Sequence, residues 1–219
     1  MPTLDFLIGA PLLTAVIAYL LGCSNGAVII SKYILRDDVR THGSGNAGLT
    51  NFYRTFGGPL TLAVILIDVL KAVAAILISI WISRNLWDGV WSSEGDVYAE
   101  YWGALFCLLG HMFPCMFKFK GGKGILSGGI VAFMIDWRVA LVVWGGFLVL
   151  AVLTKYVSLG SVWAGGSFPF ITWYCYPDQP AVIVLSFIIG GLILWQHRAN
   201  IHRLLTGTEN KFSLHKKKG

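Results

Sequence analysis

Apolar residues along this chain run in long blocks separated by short polar stretches, and the block lengths dictate the elements. A helix that crosses a bilayer takes about 20 mostly apolar residues. The pattern predicts helices over 5–31, 59–83, 98–117, 124–135, 139–154, 157–174 and 181–196. The fourth block is short enough for a re-entrant piece. The first carries Asp5 and has no Lys or Arg before it, unlike a secretory signal peptide, so it reads as a retained helix. No internal repeat or second domain interrupts the series. The expectation is an all-α, polytopic helical membrane bundle, one domain over 1–209 with a basic tail at 210–219.

Composition places the bundle in lipid. Hydrophobic residues make up 56% of the chain and charged residues 13%, against roughly 25% charged in soluble domains. The net charge of +6 does not point to nucleic acid, because the basic residues follow topology. Lys32, Arg36, Arg40 and Arg54 come after the first helix, Lys118, Lys120 and Lys123 after the third, and Lys155 after the fifth. Arg198, Arg203, Lys211 and Lys216–Lys218 follow the last. The opposite loops hold Arg84 and Arg138 among Asp88, Glu94, Asp96, Glu100, Asp136 and Asp178. The positive-inside rule then puts the N-terminus outside and the C-terminus in the cytoplasm. That parity demands an odd number of spans: seven, or five if the fourth and fifth helices form a hairpin that does not cross.

Each cytoplasmic stretch carries more than a connector needs. In the first, glycines at Gly43 and Gly45 allow positive φ, which turns N–H groups inward as an anion nest. Ser44, Asn46, Thr50 and Asn51 add neutral donors, and Arg54 adds a planar charged fork suited to phosphate. In the second, Lys118-Phe119-Lys120-Gly121-Gly122-Lys123-Gly124 sets glycines around lysines, as a backbone that wraps a phosphate requires. It lacks the G-x-x-x-x-G-K-[ST] spacing of a Walker A loop. In the third, Ser158 and Ser161 lie three apart at a helix start, where unsatisfied N–H groups favour an anion. In the last, His197, Asn200 and Arg203 recur at helical spacing and so can face one site. A Gly-rich turn, a topology-setting lysine cluster, a helix cap and an interfacial histidine would account for these features one by one. Four phosphate-friendly segments on one membrane face are harder to assign to chance.

Asp68 and Lys71 stand three residues apart inside the second apolar block, where each is costly unless paired. They read as support for the site. Cys23, Cys107, Cys115 and Cys175 have no metal-ligand spacing and imply no disulfide framework. No second His pair or carboxylate completes a shell around His197 and His202, so no metal site is expected.

These segments resemble the bacterial acyl-phosphate:glycerol-3-phosphate acyltransferases, the PlsY family. The resemblance rests on GSGN-x-G-x-TN-x-x-R (43–54), GHMFPCMFKFKGGKG (110–124), YVSLGS (156–161) and HRANIHRLLTGTE (197–209), in order over nearly the whole chain. It implies a seven-helix membrane fold with its site open to the cytoplasm of a bacterial inner membrane. It also implies fatty acyl phosphate and sn-glycerol-3-phosphate as substrates, lysophosphatidic acid as product for phospholipid synthesis, and no cofactor. By motif position, Gly43, Ser44, Gly45 and Asn46 take the donor phosphate, supported by Thr50 and Asn51. Glycerol-3-phosphate contacts fall on Arg54, Lys123, Ser161, His197 and Asn200. Lys120, Gly122, Gly124 and Ser158 complete the candidate substrate-binding set, with His197, Ser161 and Asn200 nearest the chemistry. Three departures stand out: Leu49 replaces the usual Ala before Thr-Asn, Ser24-Asn25-Gly26 replaces a Ser-Ile-Pro-like stretch, and Ile125-Leu126-Ser127 replaces Val-Ala-Thr. The donor is a mixed anhydride and already activated, so position and charge stabilisation matter more than a covalent nucleophile. The competing readings are a membrane anion or lipid-handling protein without this activity and a head-group phosphotransferase. The latter usually needs an acidic metal cluster, and only Asp37, Asp38 and Glu209 are acidic in these loops.

Overall fold

The computed structural model describes residues 4–86 and 95–212; Asp88, Glu94 and the Lys216–Lys218 tail lie outside the described residues. Among the described residues all regular structure is helical, and the chain divides into two compact units, Met1–Ile135 and Asp136–Gly219.

In the first unit the helix expected over 5–31 is broken. It forms α1 (Leu4–Gly22) and α2 (Gly26–Ile29), which runs on as a π-turn (Ile30–Ile34), and the two arms bend by 41°. The cause is Asn25: its backbone is extended, and its Oδ1 accepts the Val28 N–H at 3.1 Å, so it starts a new helix instead of continuing the old one. A 3-10 turn (Val39–Thr41) and α3 (Leu49–Thr55) follow, then α4 (Leu60–Leu86), α5 (Gly95–Met112) and α6 (Ile125–Ile135). The sequence pattern did not anticipate α3. Nor does α5 reach 117, because the His111 and Met112 carbonyls are taken by Gly122 and Gly121 N–H groups, each at 3.1 Å. The 11 residues of α6 rise about 16 Å, well short of a hydrocarbon core of about 30 Å.

The faces of α4 are inverted relative to a soluble helix. Leu62, Leu66, Leu70, Leu77 and Trp81 are exposed, whereas Asp68, Lys71, Ser79 and Ser83 are buried. Leaving such a leucine face in water forfeits about 1.5–3 kcal/mol per side chain, so this face requires lipid. Among the described residues, two helices are apolar enough by length and composition to cross a membrane, α4 and α7 (Trp137–Thr154). Four qualify if each bent pair counts as one span.

The second unit packs α7 against α8 (Val157–Cys175) and α8 against α9 (Pro180–Gln196). Asp136 caps α7 by accepting the Arg138 N–H at 2.7 Å, and Tyr176 donates to the same carboxylate at 3.1 Å, fastening the far end of α8. Lys155 (φ 62) turns the chain from α7 into α8. The chain bends by 60° at His197 into the short α10 (Arg198–Leu205), a further helix the apolar pattern missed.

Candidate active site

The first loop is built around one amide. Asn51, at the start of α3 and buried, accepts the Ser44 N–H at 3.1 Å, and its amide nitrogen shares its two protons among the carbonyls of Val39, His42 and Asn46 at 3.0–3.1 Å. Gly43 (φ 55) and Gly45 (φ 70) adopt the left-handed conformation expected of them. A side chain at Gly43 would also collide with the Asn51 amide oxygen. The nest differs from the expected one in what its N–H groups do. Ser44 N–H is held by Asn51 and Gly45 N–H by the His42 carbonyl at 2.9 Å, so neither points into an anion site. What the loop presents outward is the exposed Ser44, half-buried Asn46, and the Thr50–Arg54 edge of α3, four residues apart and therefore on one face. Leu49, the bulky departure, packs into the apolar cluster of Ala27, Phe52 and Val64 instead of crowding this edge.

The second loop is likewise held by its backbone. Cys115–Phe117 form a 3-10 turn, Lys118 and Phe119 take positive φ, and Phe119 N–H bonds the Pro114 carbonyl at 3.0 Å. Gly121 and Gly122 give their N–H groups to the end of α5, so here too the glycines serve close packing and not a free phosphate cradle. A Cβ on Gly122 would strike His111 Nε2 and lie 2.7 Å from the Ala47 carbonyl of the first loop. Lys120 is exposed, Lys123 half-buried, and Gly124 (φ 81) opens α6. Arg40 straps the two loops together. Its Nη1 donates to the Phe117 and Lys120 carbonyls at 2.8 and 3.1 Å, while Asp38 takes its other edge at 2.7 Å. Hydrogen bonds and charge from Arg40 hold the Asp38 carboxyl below its usual range against the opposing effect of burial. Arg40 was missed as a site member, although the Asp-Asp-Val-Arg stretch ahead of the glycines was its signal.

In the second unit, Ser158 and Ser161 lie in the first turns of α8, both buried. Ser161 Oγ donates to the Val157 carbonyl at 3.0 Å. Asn200 and Arg203 on α10 donate to the two oxygens of Glu209 at 2.9 and 2.7 Å. Ser158 Oγ is buried beside the same carboxylate, outside strict hydrogen-bonding geometry. Burial pushes the Glu209 carboxyl up, but the groups from Arg203, Asn200 and Ser158 outweigh it and hold the pKa low. The structure thus gathers Ser158 and Asn200 around Glu209, which was not among the candidate site residues although it closes the HRANIHRLLTGTE segment. His197 is buried at the α9–α10 bend, where Nδ1 lies 2.8 Å from the Ile193 carbonyl. A carbonyl only accepts, so Nδ1 carries a proton in that contact.

Among the described residues no cluster of His, Cys, Asp or Glu is arranged to hold a metal.

With that geometry in place, comparisons with known proteins are decisive. A family model described as glycerol-3-phosphate acyltransferase matches residues 12–207, which takes in both loops, the start of α8 and α10. The chain is 39% identical over 199 residues to the glycerol-3-phosphate acyltransferase of Thermoanaerobacter pseudethanolicus, covering 91% of this chain and 94% of the relative. It is 38% identical over 200 residues to the one from Clostridioides difficile, covering 91% and 94%. The crystal structure of PlsY, an integral membrane glycerol 3-phosphate acyltransferase, in its glycerol 3-phosphate form superposes with a TM-score of 0.79. There the identity is 36%, and the match covers 94% of this chain and 96% of that one. The lysophosphatidic acid form gives 0.76 at 33% identity, covering 95% and 98%. Agreement of this length and level means that the chain belongs to the glycerol-3-phosphate acyltransferase family.

Proposed function

We propose that this enzyme transfers the acyl group of a fatty acyl phosphate to the 1-hydroxyl of sn-glycerol-3-phosphate. The ester C–O bond forms as the anhydride C–O bond breaks, and the products are lysophosphatidic acid and inorganic phosphate. The observation that carries this reading is the match to PlsY, solved in glycerol 3-phosphate and lysophosphatidic acid forms, over 94% of this chain. Ser44 and Asn46, presented by the Gly43–Gly45 turn with Thr50 and Asn51 behind it, take the donor phosphate. Arg54 and Lys123, with Lys120, take the phosphate of the acceptor, and Gly122 and Gly124 allow the close turn of the loop that carries the two lysines. In the second unit Ser161, His197 and Asn200 orient the glycerol, and Ser158 and Glu209 hold Asn200 in place.

The attacking hydroxyl loses its proton to the donor's own phosphate oxygen, which leaves as hydrogen phosphate, so the chemistry needs no protein base. His197 Nε2 accepts a hydrogen bond from the glycerol. Seven spans with the N-terminus outside, residues 1–209 working as one functional domain, and a site facing the cytoplasm of a bacterial inner membrane complete the proposal. The distribution of Lys and Arg along the chain supports that orientation. Arg84 and Arg138 are the two basic residues of the expected outer loops, while the other Lys and Arg of the loops and tail fall on the opposite side. Product analysis by mass spectrometry tests the reading. Purified protein in lipid is given glycerol-3-phosphate with palmitoyl phosphate or palmitoyl-CoA; lysophosphatidate from the first donor alone is the expected result. Product from the thioester alone would refute the donor assignment.

A further inference from the structure

The most heavily buried charges in the first unit lie behind the two loops. Lys71 Nζ on α4 contacts Asp68 Oδ1 and His111 Nδ1 at 2.7 Å each and the Ser24 carbonyl at 3.0 Å. An ammonium has three protons and no lone pair, so all three are spent, and His111 Nδ1 must be the acceptor in that contact. His111 Nε2 therefore carries the ring's proton.

Each contact leads to a loop. Asp68 Oδ1 also takes the Gly26 N–H at 3.3 Å, a bond that the proline of a Ser-Ile-Pro stretch could not donate. The neighbouring Asn25 donates to the Ala47 carbonyl at 3.0 Å and so holds the end of the GSGN turn. On the other side, His111 accepts the Gly122 N–H on its own carbonyl, and its ring edge occupies the space a Gly122 side chain would need. Ser127, in another departure from the expected pattern, donates to the Asp68 carbonyl at 3.3 Å and secures the start of α6. A buried ion pair is often no more stable than apolar residues of the same volume. Stability alone gives little reason to keep one on the buried face of α4.

We propose that Lys71 is a positioning residue for the acylation of glycerol-3-phosphate: through Asp68 and Ser24 on one side and His111 on the other, it sets the spacing of the GSGN and GGKG loops. The proposal rests on the reading of those loops as phosphate sites. Asp68 and His111 act with it, and none of the three touches substrate.

The test uses the full-length protein in lipid, with steady-state phosphate release and thermal unfolding measured on the same preparations. Lys71→Met alone strands the Asp68 carboxylate, so the informative variant is Lys71→Met combined with Asp68→Asn, which removes both charges and keeps the volume. It is expected to unfold near the parent's temperature while KM for glycerol-3-phosphate rises about tenfold and kcat changes far less. His111→Ala and His111→Asn decide the matter should that double variant fail to fold. Asn places an acceptor oxygen where Nδ1 stood, so its KM is expected closer to the parent's than that of Ala. Lys123→Ala is the reference for the phosphate-site reading. A normal KM in the double and His111 variants, with a raised KM in Lys123→Ala, overturns the positioning role and leaves the site standing. A normal KM in Lys123→Ala as well overturns the site reading itself.

Discussion

Replacing Gly122 by alanine is the most incisive small perturbation of the site. The added methyl would overlap His111 Nε2 and sit 3.0 Å from His111 Cε1 and 2.7 Å from the Ala47 carbonyl. The Ala47 carbonyl is itself fixed by Asn25, and the His111 ring by Lys71, so neither yields cheaply. The loop must therefore move by about 1 Å, lengthening the Gly122 N–H bond to the His111 carbonyl. Overpacking of this kind costs about 1–3 kcal/mol, which corresponds to roughly 5- to 150-fold in kcat/KM if the displaced loop carries it. The assay is phosphate release from palmitoyl phosphate over a range of glycerol-3-phosphate concentrations, expected to show the loss mainly in KM. Gly145→Ala in α7 is the control, because its Cβ would meet nothing within 4 Å; there activity should hold, and the helix gains about 1 kcal/mol. Parent-like kinetics in Gly122→Ala would refute the claim that contact between the two loops places the phosphate site.

Arg40→Gln removes the strap between the loops and should lower kcat/KM by roughly tenfold, with Arg40→Lys a poor rescue because one ammonium cannot reproduce the guanidinium fork; steady-state kinetics on both variants checks this. His197→Gln should keep measurable turnover with a flat profile between about pH 6 and 8, since the donor phosphate takes the proton. A general base there would instead cost about 10²–10⁴-fold. Asp38 and Glu209 are both held below their ordinary pKa, so the stability they contribute is complete above the unfolded carboxylate range of about 4 and is lost as pH falls through the lower folded values. Thermal unfolding should accordingly be insensitive to these groups near neutrality and decline in acid, with a shallower decline in Glu209→Gln.

The helices were legible because apolar blocks of near-membrane length leave little choice, and α4, α7, α8 and α9 begin and end within three residues of the pattern where described. The break at Asn25 was not legible: three small polar residues inside an apolar run look like a tolerated interruption until the amide is seen capping α2. Helices α3 and α10 are too short and too polar to register in a membrane-scale window. Within the site, the positive φ of Gly43 and Gly45 could be read from the residue type alone, whereas the fate of the N–H groups could not. It depends on Asn51, on the end of α5 and on which carbonyls lie nearby. Asp68 and Lys71 advertised themselves as charges in hydrocarbon, but His111, their third member, lies 40 residues further along the chain from Lys71. Only tertiary packing brings them together.

The most direct test of the central claim is phosphate release by the purified protein in lipid, given palmitoyl phosphate with and without glycerol-3-phosphate. The account predicts release that requires glycerol-3-phosphate and falls steeply in Arg54→Ala and in Lys123→Ala. No release from folded protein at any chain length tried, or release indifferent to glycerol-3-phosphate and to both substitutions, would contradict it.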